Sequence, residues 1–172
     1  MTDEERNAGR DDFRALLEFL KDTPNKLANL TDGLADDEIR LKNSAAEFSA
    51  LENICHLRDL ELQGYTERIR RILAEADPAL ADFDGARVAA ESSYDTEQPG
   101  VVLQAFQNAR IENIKLLQAL TGVELERQGT LAGVGKITLK LLAKLMREHD
   151  EGHLEDLRTL RQRIERCREL TQ

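Results

Sequence analysis

The chain has 172 residues, 41% of them hydrophobic and 33% charged, and a formal net charge of −9. That is one domain's length, enough to bury a core, while the acidic balance and the lack of a lysine or arginine block exclude a phosphate-gripping nucleic-acid binder or an anionic-membrane binder. No apolar run approaches the roughly 20 residues of a membrane span, and the acidic start "MTDEERNAGRDDF" does not have the pattern of a signal peptide, so the expected compartment is the cytoplasm.

Tryptophan is absent, and 10 glycines and 3 prolines leave the chain poor in turn formers. The abundance of Ala, Leu, Glu and Arg suits helices. The expected fold is all-α, a four-helix bundle with one long crossover connection. It spans residues 1–172 as a single domain, with 1–10 a flexible N-terminus and 161–172 a helical tail.

The first helix is predicted from about Asp11 to Leu30, with apolar positions Phe13, Leu16, Leu17, Leu20, Leu27 and Leu30. Pro24 is expected to break or restart it, because its ring removes a donor and crowds the preceding turn. A loop, "TDGLADDEIRLKNSAAEF", follows.

Ser49 and Glu52 form the reciprocal capping pattern S-x-x-E, starting a second helix that continues to about Ala76 and ends at Asp77-Pro78. Its apolar face reads Leu51, Ile54, Leu62, Tyr65, Ile69 and Ile72. His56 projects almost opposite, beside Glu52, Asn53, Asp59 and Gln63, so periodicity alone makes it a surface residue. It becomes a ligand only if that polar face lines a groove. Asp59 reads as an exposed acid, or as an acceptor that steadies His56, and Cys55 as a small core residue. "RIRR" at 68–71 and "RTLRQRIERCR" at 158–168 read as solvated helix faces.

Residues 79–97 form a long connector with a turn at Asp84-Gly85, and connectors of this length are often functional. The third helix runs from about Pro99, a favoured first-turn residue, to about Leu120. Its stripe of Leu103, Phe106, Leu117 and Leu120 holds Arg110 and Asn113 at its centre. A guanidinium there is costly unless paired, so a structural carboxylate partner is preferred over contact with an anionic ligand. The glycine-rich "ERQGTLAGVGK" fails as a phosphate loop, since Gly129 to Gly135 is one residue too long and Ile137 stands where Ser or Thr must bind magnesium. No strand is expected anywhere.

The fourth helix runs from about Ile137 or Thr138 to Leu170, on the order of 50 Å. Its inward stripe is Leu139, Leu142, Met146, His149, His153, Leu157, Leu160, Ile164 and Cys167. Two histidines four residues apart replace aliphatics in this seam, and their side chains can converge on one cation. Asp150 stands where H-E-x-x-H metalloproteases need glutamate, which weakens a protease reading.

Together these residues resemble a known pattern. An aromatic-Ser-x-x-Glu start (Phe48 to Glu52) is followed by H-L-x-D-x-E from His56 and F-x-x-x-R ending at Arg110. Then come "GTLAGVGKITLKLL" and H-D-x-x-H-L from His149. From about Phe13 to Leu160 the chain resembles the DinB/YfiT-like superfamily, with Phe48 standing where that family usually has tryptophan. The resemblance implies a four-helix bundle, often dimeric, with a divalent metal on His56, His149 and His153. Imidazole ligands suit zinc or nickel, with iron a further candidate. It also implies an enzyme acting on a small molecule, such as a transferase using a low-molecular-weight thiol, with Arg110 or residues near Tyr94 orienting the thiol. A metal-dependent hydrolase and a non-catalytic, stress-associated metal-binding dimer are the alternatives.

Overall fold

In the computed structural model, which describes residues 3–42, 44 and 47–170, with side chains from residue 9 onward, α1 (Asp3–Thr31) is one helix that passes through Pro24. Residues from Asp3 onward are helical, with residues 1–2 lying outside the described part. One expectation is corrected here: Pro24 neither breaks nor restarts the helix. A proline leaves the carbonyl four residues earlier without its N–H partner, and here that carbonyl, on Leu20, accepts from Arg110 Nη1 at 3.2 Å. The compensation is tertiary, so the local sequence does not show it.

A short helix, α2 (Asp36–Ile39), interrupts the expected loop. The capping pattern then acts as read: Ser49 Oγ accepts from the Glu52 N–H at 3.1 Å and Glu52 Oε2 from the Ser49 N–H at 2.8 Å. These bonds start α3 (Ala50–Asp59). It runs into a π-helical turn at Leu60–Tyr65 and then α4 (Thr66–Ala74). A π turn places an extra residue in the turn, which offsets everything beyond it by about 100° relative to a straight α-helix. The single-face reading therefore does not carry through the turn, and before it α3 is buried on nearly every side. Leu62 is 47% exposed and His56 only 8% exposed. The expected surface histidine is buried.

Past α4, β1 (Ala79–Leu80) pairs in parallel with β2 (Gln128–Leu131), and β2 pairs antiparallel with β3 (Gly135–Thr138). The expectation of no strands is overturned in the glycine-rich segment. Its strands are only four residues long, too short for a period-2 signal to stand out, yet Leu131 and Ile137 alternate into the core. Gly129 lets β2 sit tight on the helices, since a Cβ there would come within 2.9 Å of Leu80 Cδ1. Gly133 and Gly135 take the positive φ values of 77° and 100° at the hairpin turn.

Between β1 and β2 lie α5 (Gly85–Glu91), a 3-10 turn at Tyr94–Thr96, α6 (Pro99–Ala119) and α7 (Gly122–Leu125). The last element, α8 (Leu139–Leu170), is 32 residues long, and residues 171–172 of the expected tail lie outside the described part. Helix α1 packs on α8 and α6, and α3 packs on α6 and α8, which makes a four-helix bundle with a long crossover. Cys55 is buried, as its position predicts, but Cys167 is exposed and leaves the inward stripe.

The core has two apolar clusters. One gathers Leu20, Ile69, Leu139 and Met146 with the small sheet, and the other Leu27, Ile54, Phe106, Leu154 and Leu157. Along each helix the buried polar groups fall between them: Arg110 between Phe106 and Ile114, Asp150 between Met146 and Leu154, Glu61 between Leu57 and Tyr65.

Candidate metal centre

His149 and His153 share a face of α8 because four residues make roughly one turn. His56 reaches the same point from α3, which packs against α8. His56 Nε2 lies 3.3 Å from His149 Nε2, and His153 Nε2 lies 3.2 Å from His149 Nε2. The three rings are 4.4 to 5.2 Å apart between centroids, and one nitrogen from each lies within 4.8 Å of the others. Tetrahedral coordination with metal–nitrogen bonds of 2.0–2.1 Å places ligand nitrogens about 3.3–3.4 Å apart. The two Nε2 separations match that edge, so the residues fit a shared divalent ion.

Three features keep the nitrogens bare. Asn53 Oδ1 lies 2.6 Å from His153 Nδ1, and Asn53 Nδ2 donates to the Ser49 carbonyl at 2.9 Å. The second bond fixes which end of the amide faces the histidine, so Nδ1 is the protonated nitrogen and Nε2 is free to bind. Burial, joined by the neighbouring His153, lowers the His56 pKa to about 4. Burial, with His153 and His56 next, lowers His149 to about 3, and burial also pushes His153 down. All three are therefore neutral at physiological pH, the state a metal ligand needs.

The walls are aromatic. The Phe48 and Phe83 rings lie 5.4 and 5.9 Å from the His56 ring. Gly85, at the start of α5, lies against the same imidazole: a Cβ there would be 2.4 Å from His56 Cε1. The 79–97 connector thus closes one side of the site. His149 and His153 are only partly buried, so an ion held here keeps an open side, as catalytic sites do and closed structural sites do not.

Arg110 is elsewhere. Its Nη1 bonds Asp150 Oδ2 at 2.6 Å and its Nη2 lies 2.9 Å from Glu61 Oε2, with all three side chains fully buried. Asn113 Nδ2 donates to Glu61 Oε1 at 2.7 Å. The guanidinium has its structural carboxylates, and burial pushes the Glu61 carboxyl up. Asp59 is corrected from exposed acid to buried anchor: it accepts from Arg58 Nε at 2.8 Å and from the Tyr94 hydroxyl at 2.6 Å. The Tyr94 hydroxyl is therefore engaged. Sequence reasoning missed Asn53, Phe83 and Gly85. Asn53 had a signal, lying one turn before His56 on the same polar face; the other two are brought in by the connector's path alone.

Comparison with known proteins bears on the family and the fold. The family described as the DinB superfamily matches residues 19–157. Among solved structures, YfiT from Bacillus subtilis, described as a probable metal-dependent hydrolase with an unusual four-helix bundle topology, superposes with a TM-score of 0.83. It is 21% identical, over 90% of this chain and 88% of that one. No curated protein matches the chain.

Proposed function

Because the chain belongs to the DinB superfamily, we propose that it is a metal-dependent enzyme acting on a small molecule, with His56, His149 and His153 holding the divalent ion. The observation that carries this reading is the convergence of three neutral imidazoles, two of them on Nε2 separations of 3.2 and 3.3 Å, on a site with an open side. An ion held there supplies a Lewis acid that lowers the pKa of a nucleophile, water or thiol. Zinc and nickel suit the all-imidazole donor set.

The engaged carboxylates favour a thiol as that nucleophile. Asp150, next to His149, is committed to Arg110, and Asp59, one turn after His56, to Arg58 and Tyr94. Neither is available as a general base, and a thiol ionises on a metal without one. The reading is therefore a transferase that joins a low-molecular-weight thiol to an electrophile such as an epoxide or an organic halide. The sulfur, its proton lost to solvent, would form the new bond to carbon while the carbon–halogen bond breaks to release halide, or the epoxide C–O bond opens and the retained oxygen takes a proton from water. Phe48 and Phe83 shield the site from bulk water, and Asn53 holds His153 in its binding tautomer. Hydrolysis is the second reading, favoured by the likeness to YfiT. A small-molecule substrate and a homodimer belong to the same proposal.

The test is turnover of a thiol and an epoxide by zinc- or nickel-loaded protein. The wild type should form the conjugate and His149→Ala should not. Equal rates would remove the proposal, and ester cleavage without conjugate would move it to the hydrolase reading.

A further inference from the structure

Among the described residues two arginines are buried, and only one has a carboxylate in contact. Arg110 has two carboxylates within 2.9 Å. Arg68 is 7% exposed, and among the described residues no carboxylate comes within ion-pairing distance of it. Its Nη2 donates to the Ala81 carbonyl at 3.0 Å, its guanidinium lies 5.7 Å from the Tyr65 ring, and its buried Nε has no partner at all. Burial pushes the Arg68 pKa down, and Tyr65 and the charge of Asp82 only partly oppose that; a buried charge with no carboxylate in contact is costly, and the same fold pairs Arg110 directly.

The position of Arg68 suggests what completes it. Gly64, four residues earlier, lies against the arginine, and a Cβ there would be blocked by Leu60 Cδ1 at 2.6 Å. The guanidinium lines a cavity of about 100 Å³ with Gln63, Gly64, Ala81 and Phe83, and Phe83 is the ring that packs on His56. Glu67, Arg71 and Asp82 also line it, with Asp82 near enough for its charge to act on Arg68. Glu67 is held by Arg70 at 2.6 Å.

We propose that Arg68 is an oxyanion-binding subsite beside the metal centre, taking a carboxylate or phosphoryl group of the substrate on its unpartnered nitrogens. A guanidinium offers a planar fork of donors matched to such groups. The inference rests on the metal-site reading and narrows its substrate class to molecules carrying an anionic group at a distance from the reacting atom.

The experiment uses metal-free full-length protein, so that no bound ion can act as the receptor. The Arg68 Nε–H resonance is followed by NMR while inorganic phosphate is added, and in a parallel arm acetate. A saturable shift of that resonance is expected, with the stronger arm identifying phosphoryl or carboxylate as the preferred group. Arg68→Gln, which keeps a donor for Ala81, should weaken the binding about tenfold or more, as expected for loss of a charge-assisted pair. No saturable shift in either arm overturns the subsite whether or not the variant folds, as does unchanged affinity in a folded variant. Zinc titration of wild type and variant is read separately: loss of zinc binding by the wild type would sink the metal centre and leave the anion result standing.

Discussion

Asn53 shows how much one side chain decides. Its carbonyl end holds His153 while its amide end is tied to Ser49, the same residue that starts α3. Groups that orient metal-binding histidines typically contribute 10–100-fold in affinity. Asn53→Ala should therefore weaken zinc binding about 10–100-fold in a competition titration with little change in helicity, and unchanged affinity would refute the orienting role. Gly85→Ala places a methyl 2.4 Å from His56 Cε1 and should also weaken zinc binding by pushing that ring away. The same histidines set a pH dependence. His56 falls from its ordinary 6.5 to about 4 in the folded chain, so the native state binds fewer protons than the unfolded one. That stability is fully present above the unfolded pKa of about 6.5 and is lost as pH falls toward 4. Metal-free protein should lose melting temperature across that window. A flat profile would show that the rings are already protonated or solvated in the fold.

At the scale of elements, the legible features were those written locally. Ser49 and Glu52 announced α3, Pro99 announced α6, and the Leu139 to Ile164 stripe placed both α8 histidines inward. What could not be read depended on contacts between segments. Pro24 stays helical because Arg110 reaches Leu20 from another helix. His56 is buried because α3 is packed by α6, α8 and α5 and keeps almost no exposed face. The hairpin of β2 and β3 exists because Leu131 and Ile137 find core partners. It was the family resemblance, not the periodicity, that selected His56. Arg110 joins α6 to α1, α8 and the π turn through Leu20, Asp150 and Glu61. Breaking a buried ion pair from one side costs about 3–5 kcal/mol. Arg110→Ala should lower the urea-unfolding free energy by about that amount, and a loss below about 1 kcal/mol would place the network outside the fold's framework.

At the scale of the whole molecule, the candidate centre ties together chain segments 93 residues apart, joining α3 to α8 across the bundle. A ligand that binds only the folded state stabilises it by mass action, by about 2.7 kcal/mol at a hundred times its dissociation constant. Zinc should raise the melting temperature and a chelator should return it to the metal-free value, with no such response in His149→Ala. Among the described residues no helix is long and apolar enough to cross a membrane. The most direct measurement is anomalous diffraction from zinc-loaded crystals. The account predicts one strong peak within about 2.0–2.1 Å of Nε2 on His56, His149 and His153 together. A peak bound by fewer than those three, or lying elsewhere on the surface, would contradict it.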